Sequence, residues 1–393
     1  MDGAHLFILV GGAIGIGCIL IGLVAARIGT PVLLVFMVLG MLAGEDGPGG
    51  IQFDDFRMTY LLGSLALVII LLEGGLKTTR PMLRSAGVAG ALLATLGVAV
   101  TAGIVAVAVK WLSGASWTVA FLIGALVSPT DAAAVAAVLR ARTTAVPERL
   151  IAVLEVESGF NDPMAVFLTL TLTEALVAPT GLSPLSGGVM FLWEMGGGAA
   201  LGLAGGVVLA WLLARVKAEA SLRPVLLLAG GFALFGAAQM LHASGFLAVY
   251  CAGIVVRARL GGAAEGTELA FEAFAWIAQI GLFVLLGLLV TPHHLPPFLA
   301  GAGLVALALM LVGRPVAAAL CLRPLGYRWG EIGFAGWVGL RGAVPIYLAI
   351  VPVLSGVPEG GRIFAAVFVI VLLSLGVQGW TIAPAARLFG FRR

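Results

Sequence analysis

Charge is what this sequence is short of. Only 10% of its 393 residues are Asp, Glu, Lys or Arg, where a water-soluble domain carries roughly a quarter. Too little charge to dress a protein-sized surface excludes a soluble globular protein. Cysteine is scarce as well: Cys18, Cys251 and Cys321 stand apart inside apolar stretches. An odd number with no ligand spacing excludes a disulfide framework or a zinc site and leaves buried thiols. The four histidines, His5, His242, His293 and His294, fall at the ends of apolar runs or between them and are read as non-catalytic. The N-terminus lacks the basic stretch of a cleaved leader, so the first apolar run reads as a retained helix.

What is there instead is apolar side chain, 61% of the residues, together with 56 glycines. Small residues let helices pack closely in lipid. The fold class is an all-α polytopic membrane protein. Since about 20 apolar residues cross a bilayer core, the runs predict thirteen spans. They lie near 5–27, 31–45, 58–76, 86–112, 116–139, 149–177, 187–214, 223–242, 245–260, 269–290, 296–320, 330–354 and 363–388. The positive-inside rule tests this division. With the N-terminus outside and the C-terminus inside, all but four of the 22 Lys and Arg residues, Arg314 among them, fall on the cytoplasmic side. Arg57, Lys110 and Arg362 remain outside, and Arg341 is left within a span.

Thirteen spans divide into a six-helix repeat over residues 1–185, a connector helix over 186–221 and an inverted six-helix repeat over 222–393. The fifth span is interrupted at Ser128-Pro129-Thr130-Asp131, where proline removes a backbone donor. The twelfth is interrupted at Gly339-Leu340-Arg341-Gly342. Five and twelve are equivalent positions in halves offset by seven. Paired discontinuous helices, here expected to cross, mark the binding site of transporters built from inverted repeats.

Ionisable groups in mid-span are expensive and carry function by default. Asp131 lies roughly 22 Å from the outer end of its helix, and Asp162 about 20 Å from the inner end of the sixth. Both therefore approach the middle of the bilayer. On the sixth span Ser158 and Asp162 share a face, and Glu157 and Asn161 share the next. Hydroxyl, amide and carboxylate oxygens suit a hard cation, and a carboxylate that holds either a cation or a proton suffices for exchange. Carbonyls freed beside Thr130 would add ligands. Arg341 needs an anionic partner, and Glu157 is the expected one, joining the sixth and twelfth spans as a structural ion pair. Glu73, four residues before Lys77, reads equally as an i,i+4 ion pair. Glu155 is left unassigned, and the acidic loop with Glu45, Asp46, Asp54 and Asp55 reads as a solvated turn. No transition-metal or organic cofactor is expected, and no nucleic-acid partner. Gly74-Gly75-Leu76-Lys77-Thr78 lacks the glycine a phosphate loop needs before its lysine.

The segments Ser128–Ala134, Glu157-Ser158-Gly159-Phe160-Asn161-Asp162-Pro163 and Gly339–Pro345 resemble those of the NhaP-type cation/proton antiporters, particularly the bacterial potassium/proton branch. The resemblance spans the whole chain. It implies that Asp162 is the exchanging site and that Thr130, Asp131, Ser158 and Glu73 are ligands or neighbours. It also pairs Glu157 with Arg341. In that family the Asn161-Asp162 pair implies electroneutral exchange, and the resemblance to the potassium branch implies K⁺, with Na⁺ or Li⁺ as the alternative ion. The family implies a homodimer in the bacterial inner membrane, working as an elevator. Members of the potassium branch usually carry cytosolic regulatory domains, which are expected to be absent from this chain. An intramembrane aspartyl protease would also need two mid-membrane aspartates, but its Gly-x-Gly-Asp signature is replaced by Gly159-Phe160-Asn161-Asp162. A passive cation channel would conduct without moving protons, and a reversal-potential measurement separates the two.

Overall fold

The computed structural model describes residues 2–28, 31–131, 135, 146–178, 184–215, 222–261 and 265–391. Among these the chain is helical, with no strand. The helices are α1 (Asp2–Ile28), α2 (Val32–Ala43), α3 (Phe56–Lys77), α4 (Arg80–Ser113) and α5 (Trp117–Leu126). Next come α6 (Glu148–Val177), α7 (Pro184–Arg215), α8 (Leu222–Met240), α9 (Gly245–Leu260) and α10 (Glu265–Leu288). The chain closes with α11 (Pro296–Leu325), α12 (Trp329–Trp337), α13 (Ala343–Leu354) and α14 (Gly360–Leu388). Seven of them are long and apolar enough to cross a membrane: α3, α4, α7, α8, α10, α11 and α14.

Every expected span contains helix, with two changes. The span at 330–354 is divided into α12 and α13, and the span at 116–139 is helical only to Leu126 before its break. Residues 136–139 of the latter lie outside the described residues, as do Ala132–Ala134, Arg140, Arg142, Lys217, Arg392 and Arg393.

The helices pack as two bundles, each drawing on both halves of the sequence. α9 lies against α3, α7 and α8, and α10 against α2 and α3, with α1 on α2. The second bundle joins α4 to α5 and α6, and α11 to α4, α12 and α14, with α13 on α14. Close approach needs small residues: Gly40 of α2 and Gly287 of α10 are each where an added Cβ would sit 2.2 and 2.1 Å from the other helix's backbone.

Two helices of the second bundle carry a widened π turn, α4 at Leu93–Gly97 and α11 at Leu309–Gly313. Each π turn packs on the other helix. Such a turn inserts a residue and rotates the next helical turns by about 100°. Arg314 is the first residue after the turn in α11, and it points into the bundle, 2% exposed.

Candidate ion-binding cavity

The centre of the site is made by two helix interruptions that touch. α5 ends because Pro129 offers no N–H and disfavours helix in the residue before it; the Ser128 hydroxyl donates back to the Ala125 carbonyl at 2.8 Å. α12 ends at Trp337, and helix resumes at Ala343. Between them the Asp131 N–H donates to the Leu340 carbonyl at 2.8 Å, which ties the two non-helical segments together.

Each interruption leaves a helix end with uncompensated backbone groups. The carbonyls at the end of α5 face Arg341, whose Nη1 donates to Ser128 O at 3.1 Å and Pro129 O at 3.2 Å. The start of α13 faces Asp131: a Cβ on Gly342 would lie 2.4 Å from Asp131 Oδ2, so a side chain there would displace the carboxylate. Cations suit helix C-termini and anions suit N-termini, so each break is compensated by the charge that the other carries. The Arg341 N–H donates to Ser374 Oγ at 3.2 Å. Ser374 donates to Gln378 Oε1 at 2.6 Å, and Gln378 Nε2 caps the Trp337 carbonyl at 2.6 Å.

This corrects one expectation. Glu157 pairs with Arg314 rather than Arg341: both guanidinium Nη atoms reach the carboxylate, Nη2 to Oε2 at 2.7 Å. Arg314 Nε adds a bond to Ala335 O at 3.3 Å. Glu157, Arg314 and Arg341 are each at most 2% exposed as residues. Arg341 does without a carboxylate because the carbonyl end of broken α5 serves as its anionic partner. Arg314, counted among the cytoplasmic charges, is inside the bundle instead. Its signal was available, since it falls within its own predicted span at 296–320.

Thr130 is the hub between α5 and α6. Its carbonyl accepts from Ser158 Oγ at 2.9 Å, and its hydroxyl accepts from Asn161 Nδ2 at 2.9 Å. Glu157 Oε1 lies 3.5 Å from the same hydroxyl. In α6 itself Pro163 cannot donate to the Gly159 carbonyl, which leaves one more backbone oxygen beside Asp162.

These groups border a cavity of about 140 Å³ between the bundles. Thr130, Asp131, Ser158 and Asp162 line it from the second bundle, and Glu73 from the first. All five of the residues expected at the site are therefore in one place, and Glu155 and Lys77 line the same space. Glu73 and Lys77 form an ion pair. Tyr250 of α9 packs its ring on Gly159, where a Cβ would meet Cζ at 2.1 Å, and its hydroxyl shares a 3.0 Å hydrogen bond with Thr78. Sequence reasoning missed Tyr250, Ser374 and Gln378, whose roles depend on which helices adjoin. Among the described residues, no group of three or more His, Cys, Asp and Glu forms a metal-holding cluster.

Beyond the cavity, toward the start of α3, the bundles meet in an aromatic layer. Tyr347 of α13 is fully buried, stacked on Tyr60 at 5.1 Å between ring centres, and shares a 2.8 Å hydrogen bond with Ser64. Phe246 meets it edge-on at 6.4 Å. Past this layer lies a second vestibule, of about 620 Å³, lined by Glu45, Asp54, Phe56 and His294 among others. The acidic loop there is more than a solvated turn: Asp46 accepts from the His293 N–H at 2.7 Å and contacts its ring nitrogen at 2.7 Å. Those bonds hold the Asp46 carboxyl below the usual carboxylate range.

A family model described as the transmembrane sodium/hydrogen exchanger matches residues 15–388. The chain belongs to the sodium/hydrogen exchanger family. Within this family it is 41% identical over 392 residues to a K(+)/H(+) antiporter NhaP of Alkalimonas amylolytica, covering 98% of this chain and 67% of that protein. A K(+)/H(+) antiporter NhaP2 of Shewanella oneidensis matches with the same identity and coverage. A Na(+)/H(+) antiporter NhaP of Pseudomonas aeruginosa is 29% identical over 86% of this chain. This exchanger thus spans about two thirds of the length of its potassium-named relatives. These relatives are transporters rather than enzymes. The fold matches that of the sodium proton antiporter MjNhaP1 of Methanocaldococcus jannaschii, with a TM-score of 0.81 and 21% identity over 95% of this chain and 99% of that one.

Proposed function

We propose that the protein exchanges a monovalent cation, K⁺ in the first instance, for protons across the bacterial inner membrane, with cation and proton competing for Asp162. The observation that carries this reading is the cavity itself. Two carboxylates, Asp131 and Asp162, meet there with the Ser158 hydroxyl and the Thr130 backbone at the crossing of two broken helices. A hard cation is bound by such oxygens, and a carboxylate can hold a proton in the cation's place. K⁺ is preferred over Na⁺ because the 41% identical relatives are named for potassium and the 29% identical one for sodium.

The finer reading rests on the same site. One cation is exchanged for one proton, consistent with the single Asn161-Asp162 pair. The bundle bearing both aspartates slides past the other as an elevator, within a homodimer. The cavity lies between the bundles, which supports that division of labour, and the matching π turns of α4 and α11 support inverted repeats offset by seven. The bias of basic residues supports an N-out, C-in orientation.

The test is exchange in proteoliposomes loaded with a pH-sensitive dye. Adding K⁺ drives proton movement with the wild-type protein, and Asp162→Asn abolishes it. Activity surviving in that variant sinks the assignment. Parallel runs with Na⁺, Li⁺ and Rb⁺ rank the ions.

A further inference from the structure

We infer that Lys77 is a built-in competitor of the transported cation, an ammonium tethered at the cavity that lowers the site's cation affinity. The inference rests on the proposed reading of the cavity as a monovalent-cation site.

Lys77 ends α3, half-exposed, and pairs with Glu73 one turn earlier. Both side chains line the cavity that Asp131, Glu155, Ser158 and Asp162 also line. Among the described residues lining it, Lys77 is the one basic side chain. An ammonium and a hydrated alkali cation carry the same charge and take the same carboxylate oxygens, so Lys77 holds a ligand that the transported ion would otherwise use. It also adds a positive charge to a space whose carboxylates attract cations. Its position is fixed rather than casual. The end of α3 is held by Thr78, whose hydroxyl donates to the Gly74 carbonyl at 2.8 Å and shares a hydrogen bond with Tyr250.

A purely structural role accounts poorly for this lysine. A half-exposed i,i+4 pair adds little to the stability of a helix. Thr78 already secures the helix end without it. The consequence of Lys77 is therefore expected in ion affinity rather than in folding.

The experiment is a K⁺ dose–response of proton exchange for Lys77→Gln, Lys77→Arg and the double variant Glu73→Gln/Lys77→Gln. Removing a unit charge at near-surface screening is expected to lower the K⁺ KM of Lys77→Gln about three- to tenfold, with maximal rate little changed. Lys77→Arg should keep the wild-type KM, and the double variant should move back toward it. A parallel reading needs no turnover: the K⁺ concentration that half-maximally raises thermal stability in detergent should fall by the same factor in Lys77→Gln. An unchanged or raised KM, or an unchanged stabilisation midpoint, overturns the proposal. Loss of exchange in the wild-type protein, or its persistence in Asp162→Asn, would instead overturn the exchange reading, while the K⁺ stabilisation midpoint still decides the role of Lys77.

Discussion

The interruption after Leu126 and the interruption after Trp337 use similar backbone for different ends. The first is forced by Pro129 and ends in Asp131, a carboxylate that lines the cavity. The second has no proline between Val338 and Gly342; it carries Arg341, which is 1% exposed and does not line the cavity. One guanidinium nitrogen, Nη1, is spent on the Ser128 and Pro129 carbonyls, and its backbone N–H on Ser374. Asp131 spends its backbone N–H on Leu340 and turns its side chain toward the ion space. The difference separates two kinds of intramembrane charge. One is enclosed by helix-end carbonyls and fixes the crossing; the other is left where an ion can reach it.

That contrast can be broken most severely at Arg341. Arg341→Ala strips the α5 carbonyls of a charged donor, and hydrogen bonds to charged groups contribute about 1.5–3 kcal/mol each. The expected result is a sharp loss of folded protein, read as monodisperse yield and thermal midpoint. Normal yield with a shifted K⁺ KM would move Arg341 into the ion site and erase the distinction. Gly342→Ala strikes at the other charge. Its Cβ would displace the Asp131 carboxylate, with an overpacking cost of about 1–3 kcal/mol. Exchange should fall on the order of tenfold or more because a proposed ligand has moved, while folded protein is still recovered. Exchange at the wild-type rate would show that the position of Asp131 is not critical. The mildest change for exchange is Ser374→Ala, which removes the hydrogen bonds to the Arg341 N–H and to Gln378 and costs about 1–3 kcal/mol. A lower thermal midpoint with unaltered exchange is expected, and a change in KM would mean that the second break does reach the ion.

The helices themselves were plain in the sequence. α9 runs Gly245–Leu260, as the apolar run predicts, because Ser244 caps one end and Gly261 the other. Both breaks were legible too, since Pro129 and the Gly339–Gly342 segment declare them locally. The partner of Glu157 was not. Its identity depends on a π turn at Leu309–Gly313 that turns Arg314 inward, and nothing local in an apolar run of Leu, Val, Met and Gly announces such a turn. Counting Arg314 among loop charges satisfied the positive-inside pattern, which concealed the error. Tyr250 was hidden for a related reason: its place on Gly159 exists only once α9 of one bundle meets α6 of the other.

The aromatic layer of Tyr60, Phe246 and Tyr347 has an electrical consequence. The cavity is lined by half-exposed Lys77, so water filling it from that side would be nearly equipotential with the solution there. The fully buried Tyr347, by contrast, stands between it and the acidic vestibule. With both cavities filled by water, a membrane voltage would fall chiefly across this aromatic layer rather than over the whole bilayer thickness. An elementary charge carried through the full field gains about 2.3 kcal/mol per 100 mV. A carboxylate seated just beside such a concentrated drop would cross most of it by moving only a few ångströms. Such a field would make a short displacement electrically equivalent to a full transit.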